Sequence, residues 1–372
     1  MGDAKNTDNT DNTGNASQSA LIEEHHTGSM ELDHATQFHA DYYDDGITMV
    51  TVEDGLDYIL APDPDDLPDW LTEAETEGRT VIGVPAAPVY MAASSGMDLI
   101  AAIGALDAVS MTSTAAKDWA IPEIRELVES DAIHYIGKYR APDYEALVEE
   151  ETGLAIESTM IYHSPQVKEA IEELGIPVLV ERSSYEQDAL GRLEGIKLYG
   201  LLFGKEQAAE SYYKKAASRI ASVDTDSIRE TPSVAFFSVN SNGSVVVRKP
   251  GDYVTGMIET AGGRYALDGI TDEEDNALST MNMQMEAFYD MAVDVDILIY
   301  NSAIESDLNT VSELTALAPQ FEDFKAVKEG DVWCTNKSVF QKTTGAADMI
   351  VEMNRIFAGA GDGGMEYFHK LR

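Results

Sequence analysis

Basic side chains are scarce in this chain, 25 Lys plus Arg against 67 Asp plus Glu, yet several fall beside tyrosines just after segments that read as β-strands. Lys138, Tyr139 and Arg140 follow Ile136; Tyr162 and His163 follow Met160; Arg182 and Tyr185 follow Val180; Arg248 follows Val247. Tyr90 comes after the Thr80–Val84 run and Tyr300 after Ile299. Trp333 stands in the run that ends at Cys334, ahead of Phe340, Gln341 and Lys342. Open parallel sheets bind ligands at the carboxyl ends of their strands. Guanidinium forks pair with carboxylate or phenolate oxygens and rings stack on planar groups, so these residue types suit an anionic, aromatic or chelated ligand. Taken singly, each reads more simply as a solvated loop residue or the partner of a nearby carboxylate. As a set, Tyr90, Arg140, Tyr162, His163, Arg182, Tyr185, Arg248, Tyr300 and Trp333 point to a binding cleft.

Other chemistries find little support. There is no Walker-type phosphate loop, no GxGxxG after a strand, no HExxH and no GxSxG elbow. The carboxylates are too numerous for any pair to stand out as acid and base. His25, His26, His34 and His39 lie in or near the N-terminal tail, and His134 and His163 on separate strands, so no metal site and no cofactor is assigned. The single cysteine, Cys334, excludes an internal disulfide and a cysteine-held cluster. The expectation is a protein without a catalytic step. A formal net charge of −42 repels phosphate backbones and anionic headgroups, which excludes nucleic acid and disfavours direct adsorption to membranes. Read plainly, that charge serves solubility or a salty habitat. No run of about 18 apolar residues is present, so no membrane-spanning helix is expected, and no signal peptide is read.

The elements that must position these residues divide the chain in four. Residues 1–29 are Asn, Asp, Thr, Ser and Gly with little apolar content and read as a disordered polar tether. Residues 30–184 alternate strands and helices: a hairpin of Ile47–Val52 and Tyr58–Leu60 turning at Asp54-Gly55, a strand at Thr80–Val84, then β-α units to Ile176–Val180. Residues 185–223 carry no proline and are helical. Ala208/Ala209, Tyr212/Tyr213, Ala216/Ala217 and Ile220/Ala221 recur every four residues and paint one apolar stripe. One unbroken helix there would run roughly 50 Å, and Gly204 marks a kink or short break in it. Residues 224–372 restart the β-α alternation. The fold class expected is α/β: two Rossmann-like lobes joined by a long helical spine, with the ligand cleft between them.

Several stretches then resemble the class III substrate-binding proteins of ABC importers, the iron-siderophore, haem and cobalamin type. They are Leu99–Met111, Pro142-Asp143-Tyr144-Glu145-Ala146-Leu147, Leu174-Gly175-Ile176-Pro177-Val178, Gly191-Arg192-Leu193-Glu194, Leu202-Phe203-Gly204-Lys205, Ala261-Gly262-Gly263 and Asp294–Ile299, in family order from about 46 to 358. The last has Val293-Asp294 where the family usually has proline. The resemblance implies a monomeric extracytoplasmic receptor, either periplasmic or a cell-surface lipoprotein, that hands an iron chelate to an ABC permease. The ferric siderophore is the first choice of ligand and haem or cobalamin the next, with His163 or Tyr162 able to ligate haem iron. A metal-ion receptor or a chelatase-like enzyme follows. It also implies that Glu145 and Glu286 dock to arginines of the permease. Family lipoproteins are anchored through a cysteine just before a polar tether; this chain contains no such cysteine, so the membrane would be reached only through an anchor absent from it.

Overall fold

The computed structural model describes residues 22–53, 55–71, 76–270, 279–303 and 307–372. Its first sheet has β1 (His26–Ser29), β2 (Phe38–Tyr43), β3 (Thr48–Val52) and β4 (Asp57–Ala61) antiparallel in order, with β5 (Thr80–Gly83) parallel to β4. The expected hairpin is thus β3–β4; Asp54 of its turn lies outside the described residues. The end of the stretch read as a tether is instead an edge strand. His26–Ser29 pairs with β2, Ser29 Oγ donates to Asp41 at 2.5 Å, and His25 stacks on Trp70 at 4.6 Å.

The second sheet is parallel throughout. It is made of β6 (Val89–Met91), β7 (Val109–Thr112), β8 (His134–Tyr135), β11 (Leu154–Ser158) and β12 (Val178–Glu181), in the order β12-β11-β6-β7-β8. A small hairpin, β9 (Gly137–Lys138) and β10 (Ala141–Pro142), projects beyond β8. The third sheet runs β16 (Thr280–Met283), β14 (Val245–Arg248), β13 (Ser233–Val239), β17 (Ile297–Tyr300), β18 (Val332–Thr335), β19 (Phe368–Lys370), with β15 (Arg264–Tyr265) against β13. Strands β13, β17 and β18 are parallel; β14, β16 and β19 are antiparallel additions. These two sheets are the cores of two lobes.

The connection between the lobes is helical but not one rod. It is three helices, Ala189–Glu194, Ile196–Phe203 and Glu206–Ala221. Gly204 takes φ +62, which a left-handed C-cap requires, so the chain turns there and the last helix packs back against the middle one. The longest piece, 16 residues, spans about 24 Å. The apolar four-residue stripe is real: Ala209, Tyr213, Ala216 and Ile220 are buried. All eight residues of Ile196–Phe203 are buried as well, as befits a helix with the rest of the molecule wrapped around it. One continuous apolar cluster runs from Val50 and Ile82 through Leu193, Ile196 and Leu202 to Phe236, Leu298 and Met353.

Buried carboxylates tie the first sheet to this spine. Glu194, 0% exposed, accepts the backbone N–H of Asp33, His34 and Ala35 at 2.7–3.0 Å and pairs with Lys197 at 2.8 Å. Glu186 accepts from Thr36 N, Thr36 Oγ1 and Gln37 N. Gly191 lets the strands of chain approach: a Cβ there would sit 2.9 Å from both Glu186 Oε2 and His34 O.

Burial works against ionisation of Glu194, but Lys197 and the N–H groups of Asp33, Ala35 and His34 outweigh it and hold its carboxyl below the ordinary 4.5. A folded-state value below the unfolded one adds stability above about pH 4.5 that is lost as pH falls through the folded value. Glu194→Gln should cost roughly 1–3 kcal/mol near pH 7, because Lys197 loses its shortest carboxylate partner and keeps only Glu210 at 3.3 Å and the Glu31 carbonyl, and should show a shallower acid limb. Urea denaturation between pH 3 and 7 checks this; parallel curves for the two proteins would refute the role given to Glu194.

Candidate functional site

The carboxyl ends of β6 and β7 face the second lobe, and a segment after β18 crosses to meet them. Gln341 Nε2 donates to Asp118 O at 2.8 Å while its Oε1 accepts from Ala120 N at 2.6 Å. Thr343 Oγ1 donates to Ser95 O, and Thr344 N to Asp98 Oδ2 at 2.8 Å. This crossing strap carries Phe340 and Lys342 into the junction between lobes and spine.

Cations and rings gather at that junction. Arg182, directly after β12, lies 4.3 Å over the Tyr185 ring and donates from Nε to Gln37 Oε1. Arg192, on the first spine helix, lies 4.1 Å over the Tyr253 ring. Arg248 lies 4.4 Å from the Phe340 ring and 5.8 Å from Tyr253. Two small cavities flank Arg192. One of about 30 Å³ is shared with Arg182 and Ser183, and one of about 10 Å³ with Tyr253, Phe340 and Lys342. Such volumes hold a water or a ligand oxygen, whereas a drug-sized ligand needs roughly 300–1,000 Å³. Larger hollows lie elsewhere, including an open groove of about 1060 Å³ between Ser29–Asp33 and the outer face of Glu206–Ala221.

The sequence-based candidates distribute unevenly. Arg182 and Tyr185 stand at the junction. Arg248 stands near it for a different reason than expected: β14 is antiparallel to β13, with Val247 opposite Phe237, so Arg248 is not at the end where the parallel strands finish. Tyr162 and His163 are exposed in the short turn after β11, and Arg140 is exposed in the β9–β10 hairpin, 5.6 Å over its neighbour Tyr139. Tyr90, Tyr300 and Trp333 are 0%, 1% and 2% exposed. Tyr90 belongs to β6, a strand hidden between Pro88 and the Ala92-Ala93 pair, rather than to the loop after Thr80–Gly83. Tyr300 meets Phe237 edge-on in the second-lobe core. These three rings face packed interior, not the junction. Arg192 and Tyr253 were missed as candidates; their signal was a lone arginine within an apolar helix and a tyrosine just after a buried Asp N-cap.

Glu157, also missed, is an acid inside the apolar strand β11. It is 0% exposed and, among the described residues, neither carboxylate oxygen has a hydrogen-bond partner; nor has the Tyr90 hydroxyl on the same face. Burial alone pushes Glu157 up to about 8.

The chain matches the periplasmic binding protein family over residues 89–339 and belongs to it. It is 25% identical over 301 residues to an uncharacterised lipoprotein of Methanocaldococcus jannaschii, covering 77% of this chain and 68% of that one. A second uncharacterised lipoprotein of that organism is 22% identical, covering 74% and 71%. Among solved structures, the periplasmic haem-binding protein HutB of Vibrio cholerae superimposes with a TM-score of 0.58 at 17% identity, covering 71% of this chain and 97% of that one. The TroA-like periplasmic binding protein FepB of Veillonella parvula gives 0.57 at 13%, covering 80% and 98%. The fold is therefore that of the class III binding proteins, and the chain is a solute-binding protein of the ABC-importer type, not an enzyme. No helix among the described residues is long and apolar enough to cross a membrane.

A folded-state value above the unfolded one means that Glu157 binds its proton more tightly when folded. Stability therefore falls as pH rises from about 4.5 to about 8 and levels off beyond. Glu157→Gln should remove that slope and gain roughly 3 kcal/mol over wild type at pH 7. Melting curves from pH 5 to 9 test it, and equal slopes for both proteins would show that Glu157 is partnered in solution.

Proposed function

We propose that this protein captures an iron chelate outside the cytoplasm, most simply a ferric siderophore, and delivers it to the membrane permease of an ABC importer. The observation that carries this reading is the gathering of Arg182, Arg192, Arg248 and Lys342 with Tyr185, Tyr253 and Phe340 at the lobe junction of a chain with net charge −42. Guanidinium and ring together suit the phenolate or carboxylate oxygens and planar arms of such a chelate. Haem is the second reading, favoured by the exposed neighbours Tyr162 and His163, either of which can ligate iron. Entry of a whole chelate requires the strap bonds of Gln341, Thr343 and Thr344 to break, since the cavities there hold no more than water.

Glu145 and Glu286 serve as the docking residues in this proposal. Each is exposed in the first turn of its helix, and each is followed by an alanine and then a buried anchor, Leu147 or Phe288. Two acids displayed alike, one on each lobe, suit a partner with two matching arginines. The protein acts as a monomer and is held at the membrane by a lipid on an upstream cysteine, in keeping with its lipoprotein relatives.

Titration with ferric siderophores, haem, cobalamin and bare metal ions tests the reading. Trp119 is a natural reporter, since it is buried at the strap contact, next to Ala120. Saturable binding of one chelate without turnover is expected; no binding across the panel, or turnover, would overturn it. The double variant Glu145→Lys, Glu286→Lys should abolish uptake in cells and leave chelate affinity within twofold of wild type, and loss of affinity as well would remove the docking role.

A further inference from the structure

We infer that Glu157 is a proton-operated latch beneath the rim of the first lobe: the neutral acid keeps the turn Thr159–His163 and the helix Tyr144–Glu149 packed on the sheet, and its ionisation lifts them. The latch rests on the geometry of the first lobe. Only its consequence for docking rests on the receptor reading above.

Alternation along β11 sends Leu154 and Ile156 to one side of the sheet and Ala155 and Glu157 to the other. Parallel pairing sets Glu157 beside Val180 and Ala155 beside Tyr90. The cover on that side is apolar: Ile161 from the turn, Leu147 from the helix Tyr144–Glu149, and Val167 and Ile171 from the helix Pro165–Glu173. Into this cluster the chain puts a fully buried carboxyl group whose two oxygens have no hydrogen-bond partner among the described residues, on the same face as a Tyr90 hydroxyl in the same condition. A charge there is unpaired in an apolar interior, and the neutral acid is the form such a place tolerates.

Nothing charged on the surrounding elements answers it. β6 presents the Tyr90 phenol and the helix Tyr144–Glu149 the Tyr144 phenol; both are held above the ordinary 10, first by burial and then by Glu157 itself. β12 presents Val178 and Val180. Lys168, on the helix Pro165–Glu173, is spent on Glu172 at 2.6 Å. Tyr135 at the end of β8 is exposed, as are Lys138 and Arg140 of the β9–β10 hairpin, His163 of the turn, and Glu145 and Glu149. Burial is thus the one cause that raises the acid, and it titrates just above neutrality.

Ionisation requires water at the carboxylate, and the cover is not equally strong all round. The helix Pro165–Glu173 has nine residues and two buried anchors. The helix Tyr144–Glu149 has six residues and one anchor, Leu147, and the turn is anchored by Ile161. So short a helix does not stand without its packing. These two pieces therefore lift first. They carry Glu145, and Tyr162 with His163, so in the receptor reading an alkaline medium loosens one permease contact and the ligand-side rim together.

Hydrogen exchange of the full chain, corrected for intrinsic rates, is followed from pH 6 to 9 for wild type and Glu157→Gln, with the infrared carbonyl band of protonated carboxyl groups recorded alongside. In the lifted form the acid is solvated and returns toward 4.5, against about 8 when packed. Opening constants over Tyr144–Glu149 and Thr159–His163 should therefore rise roughly tenfold per pH unit between 6 and 7.5 and level off above 8. They should stay flat in Glu157→Gln, and the second-lobe helix Met285–Ala292 should stay flat in both proteins. Wild type should also show a protonated-carboxyl component at pH 7 that disappears by pH 9 and is absent from Glu157→Gln. Flat exchange in wild type, a rise shared equally by the second lobe, or a rise that survives in Glu157→Gln overturns the latch. Where the variant does not fold, wild type alone decides: a local rise together with a carboxyl titrating near pH 8 upholds the latch, and the lack of either overturns it. No chelate or permease enters these measurements, so their failure leaves the receptor reading intact, and failure of the chelate titration leaves the latch intact.

Discussion

The architecture depends on carboxylates placed where water cannot reach them. Glu194 and Glu186 rise from the start of the spine and take up the N–H groups of Asp33 to Gln37, which have no strand or helix of their own to satisfy them. Without these acceptors the entry into β2 would carry unpaired donors against the most apolar helix in the molecule. Lys197 completes the arrangement: it neutralises Glu194, donates to Glu31 O, and lies 4.7 Å over the Tyr213 ring. One cation thereby ties the first sheet, the middle spine helix and the last spine helix together. Interior charge is tolerated here because it is paired and fully hydrogen-bonded.

Around that joint the lobes are not separate bodies on a stalk. A single apolar cluster passes from one sheet through Ile196–Phe203 into the other. Relative motion of the lobes must therefore shear packed side chains rather than swing freely about a linker. The left-handed cap at Gly204 gives the spine a corner, and the pieces on either side of it brace different neighbours. Ile196–Phe203 packs on the first-lobe helix Ser94–Ala102, and Glu206–Ala221 on the closing helix Ala346–Phe357.

Most of this fold was legible in the sequence, because it is written in periodicity and punctuation. The four-residue stripe of Ala209, Tyr213, Ala216 and Ile220, the Pro122 start of the helix Pro122–Glu129, and the Asp143 cap all have local causes. The edge strand β1 was not, since His-Thr-Gly-Ser carries no alternation and is held by what lies beside it. Short β6 was masked by the prolines at 85 and 88. The residues gathered at the lobe junction were half legible. A strand-end rule finds Arg182 and Tyr185, whose surroundings are local. It misplaces Tyr90, Tyr300 and Trp333, because a short buried strand and a loop after it look alike in one dimension. Arg192 could not be found this way: its partner Tyr253 is brought to it by tertiary packing alone. Glu157 was visible as an acid within an apolar run, but nothing in the sequence says that it lacks a partner.

The strap between the lobes has an asymmetry with evolutionary weight. Gln341 and Thr343 reach the first lobe through the backbone of Asp118, Ala120 and Ser95, and only Thr344 relies on a side chain, that of Asp98. Backbone groups are the same whatever residue bears them. The first lobe is therefore free to vary at 95, 118 and 120 without loosening the contact, whereas a single codon change at 341 removes two bonds at once. Inherited changes in the strength of this contact would thus arise chiefly from the second lobe, leaving positions 95, 118 and 120 of the first free to vary.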